Sequence, residues 1–117
     1  MLLLTNAVTN ASSWAVAFHT ALALKQGLDP ADVTAIREQQ LPKPEPYAAL
    51  SRLAKSLIEK RGHLSDDDLV TSLEAGFEKE HVLEVIGVVA ASTITNYSGA
   101  VTSPLLEAFL EEYAWRG

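Results

Sequence analysis

No stretch of this sequence alternates apolar and polar residues with the period of two that a half-buried β-strand shows. Apolar residues instead recur every three or four positions, which is the spacing of one face of an α-helix. The segment that begins at Tyr47 is typical, because its inner face would carry Tyr47, Leu50, Leu53, Ala54, Leu57 and Ile58. The pattern therefore predicts an all-α fold.

Residues that begin and end helices divide this pattern into segments. A helix capped by Asn10 would run to about Gln26. Asp29 followed by proline marks the start of a short helix, and Ser65 followed by three aspartates marks another. Glycine in the left-handed conformation that often follows a helix is expected at Gly27, Gly62 and Gly76.

The longest predicted helix runs from Glu78 to about Tyr97, and its middle, VLEVIGVVAASTI, is apolar on nearly all sides. Its β-branched residues leave a buried strand as the alternative, but its length favours a helix. Such all-round apolarity predicts that the helix is either central or faces a partner subunit. A last helix, from Leu105 to about Trp115 and capped at Ser103, brings the total to about six.

Length and composition favour one globular domain that spans residues 1–117. A chain of 117 residues, 48% of them hydrophobic, can bury a single core. The only linker-like stretch is the proline-rich segment LPKPEP, Leu41 to Pro46, which is too short to mark a domain boundary.

Several functional classes are disfavoured by the same numbers. The net charge of −6 disfavours nucleic-acid binding, because an acidic chain repels phosphates. The longest strongly apolar run, Val85 to Ala91, is far shorter than a membrane span, so we predict a cytoplasmic protein that does not bind membranes. No cysteine is present, and His19, His63 and His81 lack the spacing of metal ligands, so we predict no metal and no cofactor.

The stretch NASSWAVAFHT, Asn10 to Thr20, resembles a motif of the carboxymuconolactone decarboxylase-like family. In the alkylhydroperoxidase D-like branch of that family, the helix reads roughly N-G-C-x-Y-C-x-x-x-H-T. Ser12 and Ala15 fall on the two cysteine positions, Trp14 on the aromatic position and His19 on the histidine.

The resemblance continues in order along the chain, over about residues 5 to 115. ALALKQGLDPADVTAIRE resembles the family's A-L-x-x-G-L-x-x-x-E-V run, and the long helix ending in Asn96-Tyr97 resembles its core helix. Membership would imply a helical bundle that assembles into a homo-oligomer, a dimer, trimer or hexamer. The family's N-terminal helical segment, with a glutamate upstream of the first cysteine, has no counterpart in this chain.

The missing cysteines change the function that the resemblance implies. The family's cysteine pair reduces hydroperoxides through a low-pKa thiolate, and a serine cannot form the sulfenate or the disulfide on that path. We therefore expect no thiol peroxidase activity, and a non-redox small-molecule-binding or degenerate member is the leading interpretation. Two alternatives are a carboxymuconolactone decarboxylase-type enzyme, with His19 as its acid or base, and a structural or interaction subunit.

The candidate site combines residues of the helix that carries NASSWAVAFHT, called the motif helix below, with residues at the end of the long helix. His19 and Ser12 are the candidate catalytic residues, and their separation of seven positions corresponds to about 10 Å along a helix axis. That separation exceeds direct hydrogen-bond reach, so a core or interface histidine is the competing interpretation. The residues expected to line a pocket are Trp14, Ala15, Asn96 and Tyr97. An enclosed pocket beside His19 would distinguish a binding protein or enzyme from a pure interaction subunit.

Overall fold

The computed structural model describes residues 1–117 and contains six α-helices, a 3₁₀ helix and no β-strand, which confirms the all-α prediction. The molecule measures 43 × 29 × 20 Å. The α-helices are α1 (Leu2–Thr9), α2 (Ser13–Lys25), α3 (Pro30–Arg37), α4 (Tyr47–Glu59), α5 (Asp66–Glu74) and α6 (Lys79–Thr102), and the 3₁₀ helix is Ala108–Tyr113.

The short helix α1 lies at the centre of the fold and packs against α2, α3, α4 and α6. Five consecutive residues of α1, from Leu4 to Val8, are buried, so it presents no polar face to solvent along that stretch. Its apolar side chains pack with Val16 of α2, Ile36 of α3 and Trp115. A second cluster joins α4 to the start of α6. Tyr47, expected on the inner face of α4, is instead 42% exposed.

Most of the predicted helix ends are confirmed. Asp29 caps α3 by accepting a hydrogen bond from the backbone N–H of Ala31, and Ser65 caps α5 in a reciprocal box with Asp68. The Lys60 ammonium, 2.6 Å from Asp68 Oδ2, helps to hold the pKa of that carboxyl below its usual value. Gly27 and Gly76 adopt the predicted left-handed conformation after α2 and α5.

Two predicted helix ends are wrong by one or two residues. Asn10 does not cap α2 but ends α1, and Ser12 occupies the N-cap position. The first left-handed residue after α4 is Arg61, with φ 52°, one residue earlier than expected, and Gly62 follows it in the predicted left-handed conformation, with φ 82°. In both places the end of one helix and the turn that follows lie within three or four residues. The local sequence is then compatible with either of two neighbouring boundary positions.

Ala11 ends α1 in the conformation that glycine normally supplies. Its φ is 53°, its N–H donates to the Val8 carbonyl, and the N–H of Ser12 donates to the Ala7 carbonyl. These two hydrogen bonds define a Schellman motif, in which the left-handed residue is usually glycine because a Cβ is strained there. The turn that joins α1 to α2 therefore places Ala11 in a strained backbone conformation, which lowers the stability of the fold.

Ala11→Gly is expected to stabilise the protein by up to about 1 kcal/mol, because relief of left-handed strain exceeds the entropy cost of glycine. The matched control is Gly27→Ala at the equivalent position after α2, where φ is 91° and a Cβ would meet no atom within 4 Å. That change should destabilise by about 1 kcal/mol. Urea denaturation measures both, and an unchanged or lower midpoint for Ala11→Gly would contradict the strain argument.

The C-terminal segment is not the helix that was predicted over Leu105 to Trp115. Ser103 ends α6 with φ 45° instead of starting a new helix, and only Ala108–Tyr113 winds into a 3₁₀ helix. Side chains from elsewhere fix this segment: Trp14 Nε1 donates to Glu107 Oε2, and Arg37 donates to the carbonyls of Tyr113 and Ala114. Tertiary hydrogen bonds thus replace those of a regular helix.

Helix α6 is longer and far more exposed than expected. It extends to Thr102, five residues beyond the predicted end, and only four of its 24 residues are buried, so of the two predicted placements the central one is wrong. By length and composition alone it is also able to cross a membrane, and 17% of its most apolar 18-residue window is buried.

Candidate functional site

Ser12 joins α1 to α2 and is sealed inside the fold. It completes the Schellman motif of α1 and begins α2 with an extended backbone, yet its side chain makes no capping hydrogen bond. Its exposure is 0% and its Oγ has no hydrogen-bond partner. A Cβ added to Gly99 of α6 would lie 3.3 Å from that Oγ, so α6 packs directly over the hydroxyl.

The second motif position, Ala15, is also buried, with 3% exposure. Trp14, on the neighbouring face of α2, is half-buried and stacks on Phe18, with ring centroids 5.2 Å apart and planes 11° apart. Its Nε1 donates to Glu107 Oε2 at 3.1 Å. Trp14 therefore anchors the C-terminal segment as well as lining a shallow cavity with Gly99 and Pro104.

His19 lies near the N-terminus of the chain and away from Ser12. No hydrogen bond joins the two side chains, and the buried Nδ1 of His19 has no partner. Burial lowers the pKa of His19 below its usual value, and the positive charge of the N-terminal amine lowers it further. The imidazole is therefore neutral at neutral pH, and no carboxylate orients it as in a catalytic triad.

Asn96 and Tyr97 occupy different environments on α6. Asn96 is 1% exposed, and neither atom of its amide has a hydrogen-bond partner. Asn96 lies within α6, which continues to Thr102, and so it is not at the end of the helix as expected. Tyr97 is 58% exposed and lines a cavity of about 310 Å³ with Asn10, Thr93 and other residues of α4 and α6.

Polar residues between α1 and its neighbours were missed by the sequence analysis. Asn6 Nδ2 donates to Ser92 Oγ at 3.0 Å, and the hydroxyls of Thr5 and Ser51 are 3.0 Å apart. All four residues are buried. The available signal was Thr5-Asn6 within an otherwise apolar segment, since buried polar side chains are normally paired.

The predicted site residues do not share a cavity. The five main cavities have volumes between about 240 and 570 Å³. Tyr97 and Trp14 line two different ones, while Ser12, Ala15, His19 and Asn96 line none of the five. No group of three or more histidine or carboxylate side chains is arranged to hold a metal ion. A catalytic role for Ser12 or His19 stays a prediction that this geometry does not favour.

No protein-family model matches this chain, and no curated protein is significantly similar to it in sequence. The resemblance to the carboxymuconolactone decarboxylase-like family therefore rests on the order and spacing of the motifs described above.

Proposed function

We propose that this chain is a cysteine-less member of the carboxymuconolactone decarboxylase-like family that serves as a non-redox structural subunit. One observation carries the proposal: the two motif positions where the family has cysteines are sealed. Ser12 and Ala15 are 0% and 3% exposed, and none of the main cavities reaches them or His19.

The burial of these motif positions argues against catalysis, because both peroxide reduction and acid–base catalysis need contact with a substrate. A hydroperoxide must reach a thiolate within bonding distance, and a general acid or base must lie within about 3 Å of the proton it transfers. Ser12 Oγ is covered by α6, and Nδ1 of His19 is buried without a hydrogen-bond partner. The role left for the motif helix is structural: its apolar side chains pack in the core, and Trp14 holds the C-terminal segment through its hydrogen bond to Glu107.

The decarboxylase alternative is disfavoured by the same cavities, because its substrate would have to bind beside His19. For the small-molecule-binding alternative, among the cavities that a predicted site residue lines, the larger is the apolar one next to Tyr97, whose volume is about 310 Å³. That volume lies at the lower end of the range for ligand pockets. We therefore favour the structural role over both.

The proposal is tested by placing cysteine at the two motif positions, Ser12 and Ala15. Neither the native chain nor Ser12→Cys/Ala15→Cys is expected to turn over hydroperoxide with a thiol reductant. The double variant should react with an aromatic disulfide reagent at least about 100-fold more slowly than Ser13→Cys, because the packed helix must open first. Ser13 is exposed and directly follows Ser12, so it is a matched control.

Turnover by the native chain would show that it is an enzyme and would contradict the proposal. Turnover by the double variant alone would show an accessible site silenced only by the loss of sulfur, which would contradict the sealed geometry. A fluorophosphonate adduct at Ser12 would do the same, since it requires a reachable nucleophile. Decarboxylation of carboxymuconolactone that His19→Gln abolishes would favour the enzyme alternative.

A further inference from the structure

The outward face of α6 carries an unbroken apolar stripe. Its members recur at alternating spacings of four and three residues, and all are exposed, Ile94 at 71% and Val101 at 84%. The opposite face packs on the body of the protein through Val82, Val85, Ser92 and Asn96. The outward stripe is Leu83, Gly87, Ala90, Ile94, Tyr97 and Val101.

We propose that this stripe packs against the same stripe of a second copy of the chain, antiparallel, about a two-fold axis that crosses the outward face of α6 at the level of residue 92. The six positions of the stripe are symmetric about residue 92, so antiparallel pairing places each member opposite another member. A two-fold interface requires such self-complementarity. The resulting pairs are Leu83 with Val101, Gly87 with Tyr97 and Ala90 with Ile94.

Size complementarity across these pairs favours a second copy over other occupants. Gly87 and Ala90 leave the helix backbone accessible, and each lies opposite a large side chain, Tyr97 or Ile94. Knobs of one helix can therefore enter gaps of the other. A lipid bilayer would accept any order of apolar residues along the stripe, whereas a second copy makes use of the pairing of small residues with large ones.

Charge also favours the antiparallel orientation. The 22 residues from Val85 to Leu106 contain no charged side chain, so pairing there desolvates no ion. Glu80 and Glu84 lie only near the N-terminal end of α6. Antiparallel packing separates the two copies of Glu84 by about 24 Å along the axis, beyond the screening length of about 8 Å. Parallel packing would bring these like charges together.

The size of the stripe sets the expected strength. The 24 residues of α6 span about 36 Å, and a contact about 10 Å wide gives a footprint on the order of 360 Å² per copy. Stable interfaces bury about 800 Å² per partner, so we expect a dimer at the weak end, in the micromolar range. The proposal selects the dimer among the predicted homo-oligomers and does not depend on the absence of enzymatic activity.

The first test is the mass of the full chain in solution by light scattering and sedimentation at about 100 μM, well above a micromolar Kd. The expected mass is twice that of the 12.6 kDa chain. Ile94→Lys should yield a folded monomer, because the side chain is exposed and a charge at the centre of the stripe prevents pairing. Val70→Lys, at a 47% exposed valine on α5, is the matched control and should remain a dimer.

The second test measures the orientation by spin labelling, which the absence of native cysteines allows. For the antiparallel pair, labels at Val101→Cys should be offset by about 27 Å along the axis and labels at Ala90→Cys by about 6 Å. A parallel pair would give short distances at both positions. Such a result would overturn the proposed register.

Three further outcomes would overturn the proposal. A monomeric native chain at this concentration would remove the second copy. A dimer that survives Ile94→Lys would place the interface elsewhere. A monomer that binds neutral phosphatidylcholine vesicles, and loses that binding with Ile94→Lys, would identify a bilayer as the occupant of the stripe.

Discussion

Arg37→Ala is expected to lower the free energy of unfolding by about 3 kcal/mol and to release the C-terminal segment. The guanidinium donates to Thr20 Oγ1 and to the carbonyls of Tyr113 and Ala114, each at 2.9 Å. The indole of Trp115 in turn donates to the Arg37 carbonyl at 2.9 Å. One side chain thus joins α2, α3 and the C-terminus, and its removal leaves several acceptors without a donor.

Fluorescence and urea denaturation test this expectation. In a Trp14→Phe background Trp115 is the only tryptophan, and its emission should shift to longer wavelength when the segment is released. Arg37→Lys should recover less than half of the loss, because one ammonium cannot reproduce the planar donor fork. Arg52→Ala, at an exposed arginine of α4, is the control. Equal effects of Arg37→Ala and Arg52→Ala would refute the anchoring role.

Leu4→Ala is expected to be comparably damaging, with a cost of about 3 kcal/mol from lost burial and the cavity that remains. Leu4 is 1% exposed at the centre of the core cluster that joins α1, α2 and α3. The neighbouring Leu3 is 38% exposed, so Leu3→Ala removes the same atoms and should cost less than about 1 kcal/mol. A similar urea midpoint for the two variants would mean that α1 is not the central helix.

Helix boundaries were largely predictable because their causes are local. Asp29, Ser65, Gly27 and Gly76 act on backbone groups within a few residues of themselves, and the structure confirms each of them. The proline-rich segment from Leu41 to Pro46 is likewise free of helix, as expected from the missing N–H groups. The all-α class follows from the same local periodicity.

The arrangement of the helices was less predictable, because it depends on residues distant in sequence. Nothing near Leu2 to Val8 indicates that this short piece is the centre of the fold. The unwinding of the segment after Ser103 depends on hydrogen bonds from Trp14 and Arg37, about 80 to 90 residues earlier in the chain. The candidate site was equally hard to predict. One helical face did place Ser12 and Ala15 together, but they are buried only by tertiary packing, Ser12 under α6 and Ala15 in the central core cluster.

The central position of α1 has a consequence for synthesis on the ribosome. Asn6 pairs with Ser92, a residue 86 positions later, so α1 leaves the ribosome long before α6 exists to cover it. At 5–20 residues per second the delay is roughly 4–17 s, during which the most apolar piece of the core has no complete binding site. Residues of α6, which are synthesised much later than α1, therefore determine when α1 is fully buried.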